Sequence, residues 1–312
     1  TSRHSLCSGR PRIALSQRRL TGLHRSAGVN RPAGRSLKLL LCLILCLVSG
    51  CSATQFIYNR VDIVIRWYLD DYVTLSRDQQ AQFDERLDDL LSWHRQEELP
   101  GYVSLLDDTL VILDEGVPLE SARLMAASIE AAANRIQGPF LELLLSTGQT
   151  LDLSQRQGFV DALLTKQDEL EADRLARDDE DYRNDVEARF DEQLSDYLGP
   201  LSDRQTERIR SGVMEMTRLD TFWLADRRVW ITTLSEILIA DSPEWPQQVR
   251  ALIAGRDEAQ LPAYREGIEH NGEVILQLVR GVLIERSSKQ DKKLRRRLSA
   301  LRDDLAQLAS VE

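Results

Sequence analysis

The 312-residue chain carries 40 Lys+Arg against 50 Asp+Glu and four cysteines. Its first fifty residues hold nine of the basic residues, none of the acids and three of the cysteines, so residues 51–312 have a net charge of −19 and a single cysteine, Cys51. That balance argues against a nucleic-acid partner, because a polyanionic backbone would be repelled. One cysteine permits neither an internal disulfide nor a thiolate metal site. The remaining length is ample for a core without such staples.

In chain order, residues 1–30 are rich in Arg and Ser, and no Met precedes Cys51. Initiation is expected nearer Val29. Residues Leu39 to Val48 read LLLCLILCLV, preceded by Arg31, Arg35 and Lys38 and followed by Ser49, Gly50 and Cys51. A basic flank, a short apolar run and small residues make a secretory signal. The run is too short to cross ~30 Å of hydrocarbon. A small pair directly before a cysteine is the lipobox pattern of bacterial lipoproteins. There the Cys51 thiol would receive diacylglycerol, the chain would be cut before it, and the new amine would be acylated, with palmitate the expected chain. Ser52, not Asp, follows, which favours an outer-membrane lipoprotein facing the periplasm. Residues 1–50 are therefore expected to be removed, leaving 51–312 as the mature protein, tethered to the membrane through Cys51.

Beyond the anchor, apolar residues recur at three- and four-residue intervals, and no stretch sustains a period of two. The clearest seam is Leu294, Leu298, Leu301, Leu305 and Leu308. Pro and Gly punctuate the pattern and place helices at 56–73, 77–98, 101–114, 119–145, 155–198, 203–240, 244–254, 258–285 and 288–309. The fold is expected to be all-α. The stretch from Ser154 to Leu198 lacks Pro, is apolar at both ends and is charged from Lys166 to Asp181. It is expected to be one long helix linking two helical lobes, about 55–165 and 186–312, with a break near Asp178-Asp179-Glu180-Asp181 as the alternative.

A short pattern, L-S-x-x-Q, recurs at helix starts: Leu75-Ser76 with Gln79, Leu153-Ser154 with Gln157, and Leu201-Ser202 with Gln205. Ser287 with Gln290 is a degraded fourth copy. The physics is a capping box: Ser accepts from the backbone N–H three residues on, and Gln reaches back to the Ser N–H. Good helix starts resemble one another, so the pattern reads equally as related helical units or as convergent capping.

Candidate chemistry is sparse. Residues 51–312 contain two histidines, and no H-E-x-x-H, G-x-S-x-G or phosphate-loop motif is present. His94 beside Trp93 reads as a packed residue, with a general base as the alternative. His270 and Glu266 share a helix face and could hold a divalent metal, although acids are dense throughout. Trp67, Tyr72, Trp93, His94, Trp223 and Trp230 are candidates for a partner interface, with core packing as the bland alternative. The chain suggests no catalytic residue, metal site, cofactor or small-molecule substrate.

Several of these elements together resemble a known family. They are the lipobox, Tyr58-Asn59, the stretch from Trp67 to Tyr72, Leu75-Ser76 with Gln79, Trp93-His94-Arg95 with Leu99, Pro100 and Tyr102, and Leu198-Gly199 with Leu201, Ser202 and Gln205. The family is the proteobacterial lipoprotein group of the domain of unknown function 6279, and the resemblance covers 51–309. It implies class and location and no activity. More weakly, the L-S-x-x-Q copies are similar to the Leu-Thr-x-x-Gln motifs of small periplasmic helical chaperones of the Spy and CpxP kind, which shield unfolded clients. This chain differs in having Ser for Thr, greater length, the lipobox and an acidic surface. The expected role is a non-enzymatic, membrane-anchored binding, scaffold or chaperone-like protein that meets envelope proteins or unfolded clients. The alternative is a hydrolase or metal-binding protein using His94 or His270 with nearby carboxylates.

Overall fold

The computed structural model describes residues 51–310, with the side chains of 54–310. The leader and signal expectations for residues 1–50 lie outside the described residues. The helices, in order, are α1 (Cys51–Tyr58), α2 (Val61–Asp70), α3 (Arg77–Trp93), α4 (Leu99–Asp114), α5 (Leu119–Arg135), α6 (Gln137–Gly148), α7 (Leu153–Leu175), α8 (Asp179–Leu198), α9 (Asp203–Glu215), α10 (Asp220–Ile239), α11 (Trp245–Ala254), α12 (Arg256–Ala259), α13 (Pro262–Ile284) and α14 (Ser288–Ala309). The described residues are all-α, with no strand, and none of their helices is long and apolar enough to cross a membrane.

Pro100 does not end a helix as its sequence position suggests. α3 runs into α4 through a π turn over His94–Glu98, in which the Leu99 N–H bonds to the His94 carbonyl. Pro100 has no N–H to donate, and the wider turn absorbs the missing rung. The result is an unbroken helical rod from Arg77 to Asp114, about 55 Å long at the usual rise.

The long helix expected over 155–198 is instead two helices. α7 stops at Leu175, and α8 starts after its N-cap Asp178, whose side chain accepts from the Asp181 N–H. Arg218 fills the gap. Its Nη2 donates to the carbonyls of Arg174 (3.3 Å) and Arg177 (2.9 Å), its Nη1 to Asp179 (2.8 Å) and its Nε to Asp220 (2.8 Å). A cation thus satisfies the orphan carbonyls ending α7, while Asp179, Glu180 and Asp181 lie at the positive end of α8. Acids that read as a solvated mid-helix are a helix start.

Four further expected helices divide, among them 56–73 between Tyr58 and Val61 and 258–285 between Ala259 and Pro262. The stretch expected at 203–240 breaks between α9 and α10, where Asn271 pairs with both backbone groups of Thr217 at 2.8 Å. The stretch expected at 119–145 breaks at Ile136, ahead of Gly138-Pro139.

Four hydrophobic clusters hold the helices together, and they draw on distant parts of the chain. Leu113 and Val117 share a cluster with Leu198, Ile209, Val282 and Leu298. Leu145 and Val160 share another with Ile231, Trp245 and Val249. Each therefore mixes residues of both expected lobes. The α14 seam closes a third: Leu301, Leu305 and Leu308 pack with Leu99 and Tyr102 of α4 and Tyr58 of α1. Gln55 of α1 adds hydrogen bonds to Asp304 (3.0 Å) and Gln307 (2.8 Å). In the fourth, Phe83 and Leu87 of α3 meet Leu143 of α6, with Ile65 and Leu69 of α2 against them.

Candidate functional site: glutamine clasps and a buried histidine cluster

Ser76, Ser202 and Ser287 are N-caps of α3, α9 and α14, each in a full capping box with Gln79, Gln205 and Gln290 at the third helical position. The second copy lies two residues earlier than the sequence pattern suggests. The N-cap of α7 is Asp152, and its partner is Gln155. Ser154 sits inside the first turn, and Gln157 instead donates to Asp161 at 3.0 Å. The stretch from Leu151 to Gln157 contains both frames. Asp152 wins because a carboxylate caps strongly and suits the positive helix end.

The four boxes meet in two pairs. Gln79 Nε2 donates to Gln155 Oε1 (2.9 Å), and Gln155 Nε2 returns the bond to Gln79 Oε1 (2.8 Å). Each amide makes a second donation to the backbone just before the opposite helix, Gln79 to the Thr150 carbonyl (2.6 Å) and Gln155 to that of Thr74 (2.9 Å). Each Oε1 also accepts its own N-cap N–H, at 2.8 Å for Ser76 and 3.1 Å for Asp152. Both side-chain amides are thus fully satisfied.

The second pair repeats this at the starts of α9 and α14. Gln290 donates to Gln205 (2.9 Å) and the Pro200 carbonyl (3.0 Å); Gln205 donates to Gln290 (3.4 Å) and the Val282 carbonyl (3.1 Å). Gln205 is wholly buried, and Gln290 nearly so. The glutamines are therefore internal clasps between helix starts.

The second cluster surrounds His94. The π turn swings His94 and Glu98 into the protein, where both are buried. His94 Nδ1 lies 2.9 Å from the Tyr58 hydroxyl, and its ring stacks on Tyr58 (5.8 Å) and meets Tyr102 edge-on (5.5 Å). Arg135 closes on Glu98, with Nε 3.0 Å from both carboxylate oxygens. Arg95 reaches Asn59 (3.4 Å) and lies over the Tyr58 ring. Tyr58-Asn59, His94-Arg95 and Tyr102, separate motifs in the sequence, form one contact set.

Burial pushes the His94 imidazole down to about 4, against the opposing pull of the Glu98 charge; the Arg95 charge pushes it the same way as burial. Burial also pushes the Tyr58 and Tyr102 hydroxyls up to about 12. At neutral pH the ring is therefore neutral. Because the folded value lies below the ordinary ~6.5, the unfolded chain takes up this proton first. The contribution is complete above pH 6.5 and is lost as pH falls toward 4. Stability should drop by ~3 kcal/mol across that window, at ~1.4 kcal/mol per pH unit. Urea titrations at pH 7, 5.5 and 4.5 check this. His94→Gln should flatten the slope between pH 6.5 and 5, and an unchanged slope would remove His94 as its source.

The other sequence candidates are dispersed. Tyr72 packs on Phe159, bonds Tyr68 (3.1 Å) and lies beneath Lys166. Trp93 is half-buried beside a shallow groove with Arg86, Leu90, Pro139 and Glu142. Trp223 faces Arg227, and Trp230 faces Arg256. Trp67 stands about half exposed on α2. His270 is exposed and bonds the Glu215 carbonyl at 2.9 Å. Among the described residues, no group of three His, Cys, Asp or Glu is placed to hold a metal.

Nothing local in the sequence marks Arg218 or Arg135, whereas Glu98, with Glu97, stands near His94 in the sequence. Neither the curated proteins nor the solved structures contain a match to the chain. The model of the family of unknown function DUF6279 matches residues 71–265, a span that includes three of the four clasp glutamines and the Trp93–Tyr102 element, and the chain belongs to that family.

Proposed function

We propose that the protein is a non-enzymatic, membrane-tethered scaffold of the bacterial cell envelope, held by lipid on Cys51. The observation that carries this reading is the junction between signal and fold. The lipobox pattern ends at Cys51, and Cys51 itself lies within α1. A lipid there would join the helical body with no intervening linker. The polar clusters support a structural role. His94 is buried and neutral, Glu98 is occupied by Arg135, and the glutamines hold one another.

Crosslinking in intact envelopes, followed by isolation of the tagged protein, tests the reading. Discrete envelope proteins should be recovered with the wild type and lost when Cys51→Ser frees it from the membrane. Recovery of a hydrolytic activity abolished by His94→Gln would overturn it in favour of chemistry. Protection of unfolded clients by the purified chain would narrow it to a chaperone.

A further inference from the structure

α1 and α2 are apolar on two sides. Inward, Tyr58 and Val61 are buried, and Ile65 and Leu69 pack against the Phe83–Leu87 cluster. Outward, Phe56 is 58% exposed, Ile57 40%, Ile63 51%, Val64 46% and Trp67 51%. Ile63, Val64 and Trp67 recur at one- and three-residue steps on one helical side. Arg60 lies 4.4 Å over the Phe56 ring, at the head of α2. Single exposed apolar residues are ordinary, but five large ones within twelve residues of two successive helices call for a covering surface.

The position of these residues names that surface. If lipid sits on Cys51, the start of α1 lies at the bilayer. Phe56 then follows within ~8 Å and Trp67 within ~25 Å, at 1.5 Å per residue. Aromatic and branched apolar side chains with an arginine among them are the composition of a helix lying in the headgroup–acyl boundary. The net charge of −19 over residues 51–312 gives the body no general attraction to anionic headgroups, so any seat must be apolar.

We infer that the outward face of α1 and α2, formed by Phe56, Ile57, Ile63, Val64 and Trp67 with Arg60, inserts into the interfacial layer of a lipid bilayer. The inference rests on the Cys51 reading for its location, although the surface itself can be tested without lipidation. Seating this face fixes which side of the helical body points away from the membrane.

The test uses residues 51–312 with Cys51→Ser; the four hydrophobic clusters lie wholly within 58–309. Val64→Cys carries an environment-sensitive dye, and Leu124→Cys, also exposed, carries the control. With millimolar phosphatidylcholine–phosphatidylethanolamine vesicles, the dye at position 64 should shift to the blue and be quenched by lipids spin-labelled near the headgroup. High salt should leave the effect unchanged, and position 124 should not respond. Ile57→Asn with Ile63→Asn should weaken vesicle binding at least tenfold, with an unchanged circular dichroism spectrum. A silent dye at position 64 would overturn the inference. So would a shift that follows protein concentration without lipid, since a second copy would then cover these residues. Mass spectrometry of native Cys51 decides the lipidation question separately.

Discussion

Cys51→Ser is expected to move the protein from the membrane fraction to the soluble periplasmic fraction almost completely. Only a thiol at this position can form the thioether to diacylglycerol. Each buried methylene of an acyl chain contributes ~0.8 kcal/mol, and two or more chains make release from the bilayer very slow. The α1–α2 face alone would bind weakly and reversibly, so it cannot replace the anchor. Fractionation of cells expressing each form reads the result, and the mass of the amino-terminal peptide gives the chemistry. An unmodified Cys51 on the exported protein, or an exported protein starting elsewhere, would end the lipoprotein reading.

The second large effect lies in the buried clasp. Gln290→Leu removes both partners that Gln205 finds in it and leaves the Pro200 carbonyl and the Ser287 N–H without their bonds. Each buried group left unpaired costs ~1–3 kcal/mol, and some relax toward water or neighbours. A loss of ~3–4 kcal/mol in urea unfolding is expected. Gln205→Leu should cost a similar amount. The double variant should lose clearly less than the sum, because two leucines can pack where one leucine facing an unpaired amide cannot. Gln79→Leu should cost less, since that pair is only half-buried. Single losses below 1 kcal/mol that simply add would show that the amides do not act as a unit.

The helices themselves were legible because apolar spacing and Pro-Gly punctuation are local. The errors arose where distant residues decide a local outcome. Pro100 reads as a stop, yet a π turn carries the helix through it. The acids near Asp178 read as a solvated mid-helix until Arg218 is seen against the freed carbonyls. In the second capping box the sequence pattern points to Ser154, and only the Asp152 frame sets Gln155 opposite Gln79. Ser287 and Gln290 read as a degraded copy without a leading leucine. Arg286 stands there instead, and it donates to the Leu283 and Leu113 carbonyls. The capping pattern could be read in the sequence, but its pairing could not. Hydrogen bonds across 76 and 85 residues leave no local trace.

The contact between α1 and α14 has a consequence for the order of folding. Gln55 and Asp304 are 249 residues apart. At ~5–20 residues per second, synthesis alone separates the two partners by tens of seconds. Until α14 emerges, the inner side of α1 and the matching stripe on α4 lack Leu301, Leu305 and Leu308. For that interval the newly made chain carries an incompletely packed apolar segment at the α1 end. Closing so distant a contact is slow on topological grounds. The last stretch to emerge, and not the first, sets the moment at which the α1 end of the fold becomes rigid.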